Sequence, residues 1–151
     1  MKKTSIATVL SVSLLIVFTS VPIAQNAEKG WKKTVTLPSG EVILDMSGEW
    51  DNHIEFYGTL ISIQPIQDII KFTQKGTTVI GAKQTASIWK PKGTETIKGE
   101  LNKAGFKAVY SYIGDEWGIW EWAGCKWEIS EDGNKIGLDC GERAKLTLTR
   151  K

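Results

Sequence analysis

The chain's single histidine, His53, stands between Asp51 and Glu55 at alternate positions, the spacing that puts three side chains on one face of an extended strand. An imidazole oriented by a carboxylate is the arrangement that activates a nucleophile. The same spacing also describes an ordinary polar face of a half-exposed strand. No serine lies in a G-x-S-x-G elbow and there is no glycine-rich phosphate loop, so hydrolytic and phosphoryl-transfer chemistry lack their usual parts. Asp115, Glu116 and Glu121 lie beside tryptophans that could stack on sugars. Paired carboxylates act on glycosides only at a defined separation, and a domain this short has little room for a cleft with substrate subsites. We assign no catalytic residue. Two cysteines and one histidine make a poor metal set, and neither a metal nor another cofactor is expected.

Aromatic chemistry is richer. Residues 114–130 read GDEWGIWEWAGCKWEIS, with Trp117, Trp120, Trp122 and Trp127 gathered around Cys125. On an extended chain Trp120 and Trp122 share one face and Trp117 and Ile119 the other, so at least one set lies at a rim or outside the core. There the rings form an apolar patch of the kind that marks an interaction site, or they are covered by the TVTLPSGEVIL segment or by the SIWKPKG loop with Trp89.

The elements that position these residues follow from the ends inward. Lys2 and Lys3 precede an apolar run from Ile6 to Val21 and a small-residue exit, PIAQNAEKG. This is a secretory leader, residues 1–27, cleaved after Ala24 or Ala27; the alternative is an uncleaved anchor of marginal spanning length. No cysteine lies near the exit and there is no lipobox, so the expected location is secreted or periplasmic, with a mature form that does not span a membrane. The full chain carries 19 basic and 17 acidic residues; without Lys2 and Lys3 the counts are 17 and 17. A neutral chain with scattered lysines lacks the basic stripe of a nucleic-acid binder. The remaining length fits one core, read as an N-terminal extension or hairpin over 28–46 and a β-barrel domain over 47–151.

Beyond residue 30 apolar residues alternate and Gly and Asn punctuate at short intervals, an all-β antiparallel pattern. In CKWEISEDGNKIGLDC, Asp132-Gly133 suits a two-residue type I′ turn. That register sets Ile129 opposite Ile136, Trp127 opposite Leu138 and Cys125 opposite Cys140, with Lys126, Glu128, Ser130, Lys135 and Asp139 on the other face. One intrachain disulfide between Cys125 and Cys140 is expected. A loop at Asn102–Gly105 sets Leu101 opposite Phe106, Ile97 opposite Tyr110 and Glu100 opposite Lys107. Further hairpins turn at Lys75-Gly76, so that Phe72 meets Val79, and at Pro38-Ser39-Gly40. Sequential hairpins predict an up-and-down meander of eight to ten strands closed into a barrel, which removes exposed edges.

Gly48-Glu49-Trp50, on the first barrel strand, resembles the G-x-W signature of lipocalins and the wider calycin group of small ligand-binding barrels. In that group a basic residue of the last strand packs over the signature Trp; the resemblance implies that Gly48, Trp50 and Arg150 are structural rather than ligand-binding. It covers residues 47–151 loosely, and the later T-D-Y type motif has no clear counterpart.

The expected function is therefore that of an exported non-enzymatic binding protein. Its barrel cavity, lined by Phe72, Ile97, Tyr110, Tyr112, Trp117, Trp120, Trp122 and Trp127, would hold a small apolar or amphipathic molecule. Glycines at 81, 99 and 118 read either as space left for that ligand or as close packing. The competing classes are an interaction or hydrolase-inhibitor module engaging another exported protein, which predicts a mostly filled barrel, and glycan or cell-wall binding through exposed tryptophans.

Overall fold

Alternating inward and outward residues resolve into strands β1 (Thr34–Thr36), β2 (Val42–Leu44), β3 (Gly48–Phe56), β4 (Ile66–Lys75), β5 (Thr78–Lys83), β6 (Glu95–Asn102), β7 (Gly105–Ile113), β8 (Trp120–Ile129), β9 (Lys135–Asp139) and β10 (Ala144–Arg150). The computed structural model describes residues 30–87, 90–113 and 120–151, the side chains of Thr59, Ile113 and Trp120 excepted. The leader and residues Trp89, Asp115, Glu116, Trp117 and Gly118 lie outside the described residues. Strands β3 to β10 form a closed antiparallel meander, each paired with its neighbours in sequence and β10 returning to β3. This eight-stranded barrel is consistent with a calycin-like form. β1 and β2 form a separate two-stranded sheet, turning at Pro38–Gly40 as expected, with Gly40 at φ 82°.

The β8–β9 hairpin keeps the expected register, with Trp127 opposite Leu138 and Ile129 opposite Ile136, and Cys125 and Cys140 are bonded. Its turn differs from the expectation. Gly133 has φ 71° but among the described residues no non-glycine residue has positive φ, so Asp132 does not adopt the left-handed conformation that type I′ demands. Instead the Gly133 amide donates to Ser130 O. The Asp132 carboxylate accepts from the Asn134 amide, Asn134 Nδ2 and Ser130 Oγ, an Asx-type arrangement that satisfies the loop locally. These bonds hold the Asp132 carboxyl down to about 2.

The β6–β7 pairing is also as expected, Glu100 facing Lys107 included, through a shorter loop. Asn102 pairs with Gly105, leaving only Lys103-Ala104 between strands. β4–β5 is displaced by two residues from the expectation. Phe72 faces Gly81, and Gln74 faces Val79. Gly76, at φ 60°, is the first central residue of the turn, where a type II′ turn takes glycine, so the bend centres on Gly76-Thr77.

One end of the barrel is filled. Trp50, Phe72, Val79, Ile97, Leu101, Ile136, Leu146 and Leu148 are fully or almost fully buried. Trp50 meets Phe72 edge to face at 6.0 Å. A Cβ at Gly81 would lie 2.6 Å from the Phe72 ring, and one at Gly99 would lie 2.5 Å from the Phe106 ring. At these two positions the glycines allow close packing and leave no room for a ligand. Arg150, paired with Trp50, sets its guanidinium 4.3 Å from the Trp50 ring centroid and donates to Ser47 O and Asp45 O. The β2 side chains Ile43 and Leu44, with Met46, are buried over this end, anchored by Gln74, which accepts from the Met46 amide and donates to Leu44 O.

The disulfide closes a loop with a sequence separation of 15, for which the chain-entropy account gives about 3 kcal/mol. Cys125→Ser is expected to lower stability by about 2–5 kcal/mol in urea unfolding; a midpoint equal to that of the parent would show that the bridge does not brace the barrel.

Candidate functional site

Three neighbouring strands each place a polar residue in phase with their inward apolar ones. These are Asn52 after Trp50 on β3, Asp68 before Ile70 on β4, and Lys83 after Gly81 on β5. Asn52 is 2 % exposed and Lys83 4 %. The Asp68 carboxylate accepts a hydrogen bond from Asn52 Nδ2 at 2.8 Å and pairs with the Lys83 ammonium. Asn52 Oδ1 is buried with no protein partner. Between β5 and β6 the loop brings in Lys90, 6 % exposed, whose Nζ donates to Ser111 O at 2.5 Å and stands 5.4 Å from the Tyr110 ring centroid. A register shift at Gly81/Ala82 pairs Ile97 with Gly81 and Glu95 with Ala82. Thr96 is thereby left as an unpaired bulge residue, and it is buried alongside Ile97.

The charges act on one another. Burial, and then the positive charge of Lys83, push the Lys90 ammonium down to about 7, with Asp68 offsetting part of the effect. Burial, with Asp68 adding to it, pushes the Tyr110 phenol well above its usual value. The rim is polar as well. Tyr112 Oη donates to Glu121 at 2.6 Å, and the Arg143 guanidinium lies 4.6 Å from the Tyr112 ring centroid.

Above the polar floor lies a cavity of about 60 Å³, walled by Ile54, Phe56, Leu60, Ile63, Ile66 and Ile70 and reached by Asn52, Asp68, Lys83, Lys90, Thr96, Tyr110 and Tyr112. Leu60 ends a single 3-10 turn, Gly58–Leu60, between β3 and β4. That volume holds a few waters or a ligand group of a few heavy atoms.

Of the residues expected to line a ligand cavity, Tyr110 and Tyr112 do so. Phe72 and Ile97 are buried in the packed half below it. Trp127 points inward but lies against Phe106, ring centroids 4.0 Å apart. Trp122 does not belong to the lining. β7 pairs Tyr110 with Ala123 and Ala108 with Cys125, so odd-numbered residues of β8 face inward. Trp122 is on the outer wall, 42 % exposed, with Lys98 Nζ 4.8 Å from its ring centroid. Trp120 lies on β8 with its side chain undescribed, and Trp117 is outside the described residues. The Asp51, His53, Glu55 row is also on the outer wall. His53 Nε2 is 3.5 Å from Glu55, which accepts a shorter bond from Tyr57 Oη, while Asp51 is 3.8 Å from Lys151.

Among the described residues no group of three or more His, Cys, Asp or Glu side chains is placed to hold a metal ion. Comparison with family models, with curated proteins and with solved structures found no match. The reading of the site therefore rests on its own geometry, which offers hydrogen-bond donors and acceptors at the floor, apolar contact above, and one amine that is easily deprotonated.

Lys90 gives the protein a signature in pH. Unfolding returns its ammonium to an ordinary value near 10.4, so from about pH 7 to 10 the unfolded chain binds more protons than the folded one and stability rises with pH. Above about pH 10 the unfolded chain releases the Tyr110 proton first, and stability falls. Urea unfolding across this range is expected to show the rise in the parent and a flatter curve in Lys90→Met; parallel curves would show that Lys90 is charged in the folded state throughout.

Proposed function

We propose that this protein is an exported, non-enzymatic binding barrel of calycin-like kinship that holds a small amphipathic molecule. The ligand's polar group faces Asn52, Asp68 and Lys83, and its apolar part faces Ile54, Phe56, Ile63 and Ile66. The observation that supports this reading is the buried Asp68–Lys83 pair at the floor of an apolar-walled cavity. Well-packed apolar residues in place of a buried ion pair are often neutral or stabilising, so stability alone does not account for the pair. A ligand with a polar head does, particularly one able to donate to the unpartnered Asn52 Oδ1. Kinship draws on the Arg150–Trp50 stack together with Gly48-Glu49-Trp50. Export draws on the leader pattern of residues 1–27 and on the disulfide, which persists in oxidising compartments.

The cavity limits the ligand, or the portion of it enclosed, to a few heavy atoms, which favours an amphipathic molecule over a long apolar one. Titration with 1-butanol or butanoate, followed by backbone amide NMR, is expected to give saturable shifts at Asn52, Asp68, Thr96 and Tyr110. Thr96→Leu, which fills the cavity, is expected to abolish them. Shifts confined to the outer wall around Trp122 on adding soluble polysaccharide, with interior amides unmoved by either small molecule, would replace this reading with glycan binding.

A further inference from the structure

We propose that the barrel cavity is an alcohol site, and that the head group it reads is an uncharged hydroxyl that donates to Asn52 Oδ1 and accepts from the Lys83 ammonium. The inference deepens the preceding one and rests on its reading of the cavity as a ligand site.

The floor of the cavity asks for a donor and offers one. Asn52, 2 % exposed, directs its Nδ2 to the Asp68 carboxylate at 2.8 Å. Its Oδ1 is then a buried acceptor with no protein partner, a state that is costly for a polar atom out of water. Asn52 lines the cavity, so a ligand that brings a proton there is favoured over one that does not. Lys83, in the same lining, is paired with Asp68, and an ammonium carries more protons than that one contact uses. The Tyr110 phenol, which burial keeps protonated, is a second donor in the lining. Other polar groups at the cavity have partners within the protein, Thr96 Oγ1 donating to Gly81 O and Tyr112 Oη to Glu121.

A hydroxyl has one proton to give and two lone pairs with which to accept, all on a single heavy atom. A carboxylate has no proton for Asn52 Oδ1 and sets a second anion beside Asp68. An alkylammonium serves Oδ1 but accepts nothing and sets a second cation beside Lys83. Asp68 and Lys83 already balance one another, so a charged head enters as an excess charge, and taking a charge out of water costs far more than taking a neutral group. An ether is neutral but cannot donate. The small volume and the walls of Ile54, Phe56 and Ile66 fit a short alkyl chain behind the hydroxyl.

The test titrates the full chain with four probes of similar size, 1-butanol, its isomer methyl propyl ether, butanoate and butylammonium, and follows the amides of Asn52, Asp68 and Thr96 by NMR. It is run at pH 8, above the value of about 7 at which Lys90 gives up its proton. Butanol is expected to bind about tenfold or more tighter than each of the others, as when a buried polar group is left unserved. A merely apolar pocket gives the opposite order for the two isomers, since the ether is the less polar. In Asn52→Leu the lead of butanol over the ether is expected to fall to about threefold or less. An undiminished lead in the folded variant would overturn the proposal, and the four-probe order in the parent decides it if that variant does not fold. If the ether or butanoate shifts the interior amides at least as readily as butanol, the hydroxyl reading fails and the cavity stands as a ligand site. If no probe reaches the interior, both fail.

Discussion

A carboxylate and an ammonium taken out of water cost several kcal/mol each, returned only when the two meet with good geometry and their remaining hydrogen-bonding positions are filled. In this barrel that constraint falls on Asp68 and Lys83, whose side chains are each only 5 % exposed. Asp68 is served by Lys83 on β5 and by Asn52 on β3, so one carboxylate ties together three adjacent strands. The pair also divides the interior. On one side of it Trp50, Phe72 and Leu148 fill the barrel; on the other the lining opens into the cavity that Lys90, Thr96 and Tyr110 reach.

The two ends can differ because each is closed by different chemistry. At the filled end Arg150 stacks on Trp50 and spans to the carbonyls of Asp45 and Ser47, the Trp50 indole donates to Met46 O, and the β1–β2 hairpin lays Ile43 and Leu44 over the opening. Cation–aromatic contact and main-chain bonds serve the polar groups there, the buried Arg150 Nε excepted. At the open end the closing residues come from loops: the 3-10 turn at Gly58–Leu60, the segment carrying Ser87 and Lys90, and the turn before β10 with Arg143. Loops are where binding residues collect on rigid frameworks, and here they surround the part of the interior that still has an unpartnered acceptor.

Much of this frame could be read from the chain, because hairpin registers follow from period-2 alternation. The β8–β9 pairing needed only Trp127, Ile129, Ile136 and Leu138 to agree on a face. The β4–β5 error shows the limit of the method: a slip of two residues keeps every side chain on its proper face, so alternation cannot distinguish a bend at Lys75-Gly76 from one at Gly76-Thr77. The turn at Asp132 was misjudged because its own carboxylate supplies the bonds that a type I′ backbone would have supplied. Trp122 was legible and was misread: a disulfide that draws Cys125 inward already sends even-numbered residues of a regular strand outward. The polar cluster also left a signal, since Asn52, Asp68 and Lys83 each interrupt an inward apolar row on consecutive strands. Lys90 left none, because a loop has no period from which to infer direction.

The claim on which the account turns is that Asp68 and Lys83 form one coupled unit at the floor of the cavity. A double-mutant cycle with Lys83→Met, Asp68→Leu and the pair, measured by urea unfolding, addresses it most directly. The account predicts that each single change costs about 3–5 kcal/mol by stranding the other charge, and that the double variant recovers most of that loss. Single changes that cost under about 1 kcal/mol, or losses that simply add in the double variant, would contradict it.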